Sequence, residues 1–352
     1  MKHNSTFKPA LIALSITAAL NSGSVIAQDT PEDEQVEIIQ VSGIRGSLMR
    51  AQAVKMDNDS IVEAISAEDI GKLPDSSIAE SLARLPGLSG ERVGGRTSGI
   101  SVRGFKEDFT GTSLNGRELI GIGDNRGVEY DLYPSEIMTG ATIYKSTEAN
   151  LVVQGIGGTV DLQTVRPLAA EETLTLTGVY EMGGNDSDNP EFDNTGNRYA
   201  LSFVEKFADD TMGLALTLAS TESPRNERKY GVWGYGDNNG ALLPFGLDTQ
   251  AISRVLERDT ISAIFQWRPT DNLDVVVDVL DIDYSDSGVI RGFIEPFELD
   301  ASSLNGSGVN STGTQINANP VLRTDPAQKD GELRTYGLNV TYHLNDNWLV
   351  NL

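Results

Sequence analysis

The chain has no cysteine. Disulfides, thiolate metal sites, iron–sulfur clusters and thiol catalysis are thereby excluded. Histidine is scarce as well: His3 and His343 are the only two in 352 residues, so clustered His ligands and Ser/His/Asp triads are excluded too. Positive charge is in short supply, with 27 Lys and Arg against 51 Asp and Glu, a net charge of −24. A surface of that sign repels phosphate backbones, so nucleic acid is not an expected partner. Only one apolar run approaches the length of a bilayer crossing, and it stands at the N-terminus, which excludes a bundle of membrane-spanning helices. What is plentiful is glycine, 36 residues, and a length that allows two or three domains.

That apolar run reads as a leader. Lys2 and Lys8 precede an apolar stretch over residues 10–20, and Val25-Ile26-Ala27 puts small residues where a signal peptidase reads. Residues 1–27 are therefore expected to be removed, with a mature start near Gln28. Residues 28–60 follow as a polar segment holding one β-prone island at 36–43, made of Val36, Glu37, Ile38, Ile39, Gln40, Val41, Ser42 and Gly43. Such an island is not stable alone, but its backbone can add as a strand to another protein's sheet edge. The other reading is a first strand of the domain that follows.

Residues 61–167 have the texture of one small α+β domain. Ser66 and Asp69 have capping-box spacing, and Asp75 after Pro74 is a good N-cap. Ile78, Leu82 and Leu85 fall at helical spacing, and Pro86-Gly87 stops the helix. Short strands are expected at 100–103, 141–144 and 159–165, and Asn115-Gly116 signals a tight hairpin.

From residue 171 the period becomes two. Leu174, Leu176 and Tyr180 share a face, as do Tyr199, Leu201 and Phe203, then Met212, Leu214, Leu216 and Leu218, and Tyr336, Leu338, Val340 and Tyr342. Short turns at 208–210, 269–272 and 345–347 alternate with long polar stretches at 183–196, 222–257 and 285–331. Alternation of about ten residues, aromatics near strand ends, and short turns trading with long loops together describe an antiparallel transmembrane β-barrel; a soluble β-sandwich is the alternative. Seven strand-like segments fill 171–352. A barrel that small is filled by its own side chains, and an open sheet in lipid leaves unpaired backbone groups. The expectation is an incomplete barrel, the N-terminal part of a longer protein.

The motif residues Val41-Ser42-Gly43-Ile44-Arg45-Gly46-Ser47-Leu48, Ile65 to Asp75, Ala79 to Gly87, Ser101-Val102-Arg103-Gly104, Leu114-Asn115-Gly116-Arg117, Ile143-Tyr144-Lys145-Ser146 and Gly155 to Val160 resemble those of TonB-dependent outer-membrane receptors. The similarity is nearest to the proteobacterial subgroup with a TGIRGSL-like motif after the TonB box, with Ser42 where Thr is usual. The resemblance implies an α+β plug followed by a barrel of about 22 strands whose lumen the plug fills. It implies that Glu37 to Ser42 are the TonB box, that Arg103 is a plug arginine locking to a barrel carboxylate, and that the chain imports a scarce nutrient across the outer membrane. The implied partners are TonB of the inner-membrane energising complex, outer-membrane lipid and a small extracellular ligand. Carbohydrate is the leading substrate expectation; a siderophore or cobalamin is the alternative, and a passive porin-like barrel is the rival that would need neither box nor plug.

No catalytic set, cofactor or metal site is expected. Gly155-Ile156-Gly157-Gly158 resembles a phosphate loop, but residue 160 is Val and a strand follows where the motif needs a helix. Asp281, Asp283 and Asp286 lack the twelve-residue Ca²⁺ frame. Tyr230, Trp233 and Tyr235, with Asp237 and Asn238, combine aromatic faces with amide and acid groups, a pattern that suits stacking on sugar rings; an interfacial aromatic belt is the bland reading.

Overall fold

The computed structural model describes residues 44–66, 77–93, 96–184, 186–238, 241–300, 303–308, 310–317, 319–345 and 347–352. The leader, the island at 36–43, and the expected caps Asp69 and Asp75 lie outside the described residues.

The first part is a small α+β unit. Helix α1 (Ile44–Asp57) leads into β1 (Val62–Ser66). Helix α2 (Ile78–Leu82) is capped by Ser77, whose backbone is extended and whose hydroxyl accepts the amide of Glu80, while the same hydroxyl donates to the carbonyl of Thr97. The expected stripe is there, but the helix ends at Leu82, so Leu85 packs from the turn that follows. Strands β2 (Leu88–Val93) and β3 (Arg96–Val102) form a separate hairpin. Strands β4 (Thr110–Leu114), β5 (Arg117–Glu118), β6 (Met138–Tyr144) and β7 (Gly158–Thr164) complete a sheet in the order β1-β6-β7-β4-β5. The expected hairpin between β4 and β5 turns on Asn115 and Gly116, at φ 51° and 80°, the left-handed pair of a two-residue turn. Between these layers Ile78, Leu82, Ile100, Ile143, Val160 and Leu162 are wholly buried.

The second part is a wall of seven antiparallel strands: β8 (Thr173–Met182), β9 (Thr195–Phe207), β10 (Met212–Asn238), β11 (Ala241–Thr270), β12 (Leu273–Pro296), β15 (Val321–Asn345) and β16 (Trp348–Asn351). A mini-hairpin of β13 (Asn305–Ser307) and β14 (Asn310–Thr312) interrupts the link from β12 to β15. Neighbours in sequence are neighbours in space, and β8 and β16 are the two edges, so the sheet is an unclosed arc of barrel.

The expected loop at 222–257 is corrected by the register. Glu222 pairs with Glu257, and pairing continues residue by residue almost to the tip at Asn238 and Ala241. Strands of 27 and 30 residues far exceed the nine to eleven that a bilayer needs. In this extension polar side chains stand on both faces, so the polar/apolar period vanishes from the sequence while the strand goes on. The long stretch at 285–331 shrinks likewise, because β12 runs to Pro296 and β15 starts at Val321. The link at 183–194 is a strap across the outer face of the same extension. Asn189, 1 % exposed, donates to Ser253 and to the carbonyl of Ala251, while Asp188 and Glu191 pair with Arg228 and Arg291.

Candidate functional site

The inner unit lies against one face of the wall, and that contact is the candidate site. Register and burial agree on which face it is. On β11, Arg258, Thr260, Ser262, Ile264 and Gln266 are buried, whereas Ile261 and Trp267 are exposed. Leu256, Leu280, Ile282 and Tyr284 of the wall join the hydrophobic cluster of the inner unit. Over this stretch of β11 the inner face is thus mostly polar and covered, and the outer face carries exposed apolar side chains.

At the lower part of the contact stands Arg117. The turn before it is rigid: Asn115 exchanges hydrogen bonds with Thr164, and Asp161 accepts from the hydroxyl of Ser113 and the amide of Gly116. This aims the guanidinium at the wall. One terminal nitrogen meets Asp278 Oδ1 at 2.5 Å and the other Asn339 Oδ1 at 2.6 Å. Gly337 sits directly across from Asp278 in the β12–β15 ladder. A Cβ there would lie 2.4 Å from the guanidinium carbon, so only glycine leaves the socket open. The Asp278 side chain is 8 % exposed, a setting in which losing one partner strands a buried charge.

Higher up, Arg96 donates to Ser223 at 2.6 Å, Arg258 to the carbonyl of Asp131 at 2.6 Å, and Arg198 pairs with Glu136 at 3.5 Å. Burial pushes the Asp131 carboxyl up, and the nearby Arg96 and Arg258 only partly draw it back. Lys329 of the wall reaches Glu129 at 3.4 Å, and Glu129 in turn accepts the amide of Ile122. Arginines and a lysine thus hold the unit at several heights.

On the far side, Glu63 joins three elements. Lys55 of α1 lies 2.7 Å from it and Lys145, just past the end of β6, 3.1 Å; Lys145 also donates to the carbonyl of Pro86. Burial alone would raise the Glu63 carboxyl, but the bonds and charges of both lysines outweigh it and hold it below the ordinary value.

The expected lock residue, Arg103, is engaged elsewhere. Its guanidinium donates to the carbonyls of Gly157 and Ile156, within the inner unit, whereas Arg117 pairs with Asp278 of the wall and Glu136 with Arg198. The signal for Arg117 was present in the Asn-Gly-Arg turn. The glycine run at 155–158 has a packing role: a Cβ on Gly155 would lie 2.4 Å from the amide of Gly111 and the carbonyl of Phe109. Asp281 and Asp286 part company on opposite faces of β12, paired with Arg334 and Arg254.

The aromatic cluster is also divided. Tyr230, Trp233 and Tyr235 all lie on β10, but the ladder puts Tyr230 across from Thr249, Trp233 from Gly246 and Tyr235 from Pro244. Side chains alternate along a strand. Counting from Ser223, which touches the inner unit, Trp233 and Tyr235 share the inner face and Tyr230 is on the outer one. Asp237 and Asn238 pair with Leu242 and Ala241 near the tip. The polar, aperiodic sequence of this segment reads as a loop and carries no sign of the split.

Residues 54–159 match the family model of the TonB-dependent Receptor Plug Domain. No curated protein sequence matches the chain. Among solved structures, the siderophore receptor PirA from Acinetobacter baumannii is similar at 14 % identity and a TM-score of 0.40, over 84 % of this chain and 60 % of that one. A ferric enterobactin receptor mutant from Pseudomonas aeruginosa is similar at 13 % and 0.39, over 84 % and 61 %. The Serratia marcescens hemophore receptor HasR, in complex with its hemophore and heme, gives 17 % and 0.37, over 81 % and 42 %. The chain spans between 42 % and 61 % of the length of these three.

Proposed function

We propose, for a chain that its plug domain at residues 54–159 makes a TonB-dependent receptor, that it serves energised uptake of a nutrient across the outer membrane. Receptors of this family are outer-membrane transporters and not enzymes. The observation that carries the reading is the plug pinned by a buried Arg117–Asp278 pair to the polar face of a wall whose other face is apolar. A passive pore has no use for a tethered obstruction. A transporter that must open only when pulled does, because the outer membrane holds no ATP and energy has to arrive by contact.

In this reading Glu37, Ile38, Ile39, Gln40, Val41 and Ser42 add as a strand to TonB, and force enters the plug through α1 and β1. The turns at 208–211 and 271–272 face the periplasm, and the β10–β11 extension stands outside the cell. The ligand is a carbohydrate met by aromatic side chains of that extension. The decisive experiment replaces Ile39 by Pro in the receptor, which removes one backbone donor and fixes φ. Membrane assembly and ligand binding are expected to persist while uptake stops. Uptake that continues unchanged refutes the energised reading.

A further inference from the structure

We infer that the inner face of the β10–β11 extension holds a subsite for a neutral polyhydroxylated ring, a hexopyranose unit, built from Trp233, Asp248 and Gln250. The inference rests on the receptor reading, which turns this face toward the incoming solute. Three cross-strand rows define it: Lys229 with Gln250, Gly231 with Asp248, and Trp233 with Gly246. The register between them is unbroken, so all six residues share the inner face.

Asp248 carries the argument. Its Oδ2 accepts from Gln250 Nε2 at 2.5 Å, but its Oδ1 is buried without a hydrogen-bond partner. A buried carboxylate oxygen without a donor is costly, and a ligand hydroxyl removes that cost. Open space lies across the strand pair, where a ligand edge can approach and the Asp248 side chain can turn to meet it. Opposite Asp248 is Gly231, where a Cβ would meet nothing within 4 Å. One row on, the Trp233 indole lies across Gly246, whose Cβ would come within 2.2 Å of the ring, and 38 % of Trp233 remains exposed.

An exposed aromatic face beside a carboxylate acceptor over an open glycine fits the two surfaces of a sugar ring. Its C–H face packs on the indole, and its rim hydroxyl donates to Asp248 Oδ1. The Gln250 carboxamide oxygen accepts a second hydroxyl. Charge decides the class: Lys229 in the next row disfavours a cationic ligand, and Asp248 disfavours an anionic one.

The test is calorimetric titration of the purified full-length receptor with maltohexaose, cellohexaose and xylohexaose, with oligogalacturonate and chitohexaose-derived glucosamine oligomer as charged comparators. At least one neutral probe is expected to saturate more tightly than both charged ones. Asp248→Asn and Trp233→Ala should each weaken it about tenfold or more, Trp233→Phe by less, and Tyr230→Ala on the opposite face by less than twofold. Asp248→Asn is isosteric and Trp233→Phe keeps a ring, so a folding failure of Trp233→Ala leaves two informative variants. No saturation by any neutral probe, tighter binding of a charged one, or equal effects of Tyr230→Ala and Asp248→Asn overturns the subsite. Uptake that survives Ile39→Pro refutes energised import and leaves these binding results standing.

Discussion

In the plug, Leu82 is wholly buried; in the wall, Leu338 is 53 % exposed while Thr260 is 1 % and Gln266 3 %. Both regions obey period-based patterning, one at helical and strand spacing, the other at strand spacing throughout. They differ in what lies outside. The plug hides apolar side chains from water. The wall shows Leu174, Leu176, Tyr336 and Leu338 on its outer face, as a strand bordered by hydrocarbon should, and turns its polar residues toward the plug. Burial follows the local solvent and is not a fixed property of residue type.

The largest test is Leu82→Asp. It puts an unpaired charge where no water reaches, at a cost on the order of 5 kcal/mol. Limited proteolysis of the membrane-inserted receptor should then cut the plug and spare the wall; a plug that stays resistant means the helix faces elsewhere. Arg117→Ala comes next. It strands Asp278 and should loosen the plug by about 3–5 kcal/mol, seen as faster amide exchange in β4 and β5. Adding Asp278→Asn should restore part of the loss, and an Asp278→Asn background in which Arg117→Ala costs just as much would show that the two do not couple. The mildest is Leu338→Arg, a charge placed on the outer face, at about 2–4 kcal/mol if that face meets mid-bilayer lipid. Urea titration in lipid vesicles measures it. A cost near zero there would break the comparison, since the outer face would then be wet.

Much of the fold is legible in the residues, for physical reasons. Ile78 and Leu82, the Asn115-Gly116 turn, and seven strands with Tyr199, Leu201 and Phe203 on one side all follow from local spacing, and the structure has them. The β10–β11 extension is not legible, because a strand with polar side chains on both faces carries no hydrophobic period. The pairing of Arg117 with Asp278 is hidden for another reason: 161 positions separate them, and only the assembled wall brings them together. The same holds for Tyr230, whose separation from Trp233 depends on a ladder that composition does not announce.

The Gly337 socket also bears on assembly. A one-residue slip between two strands turns every side chain to the opposite face. Were β15 to pair with β12 one position out of step, Arg117 would meet Tyr336 or Leu338 in place of Gly337, and the guanidinium could not seat. A slip of β12 would carry Asp278 to the outer face. Only the in-register wall therefore presents a glycine where the Arg117 guanidinium seats, which makes the socket a marker of correct strand alignment.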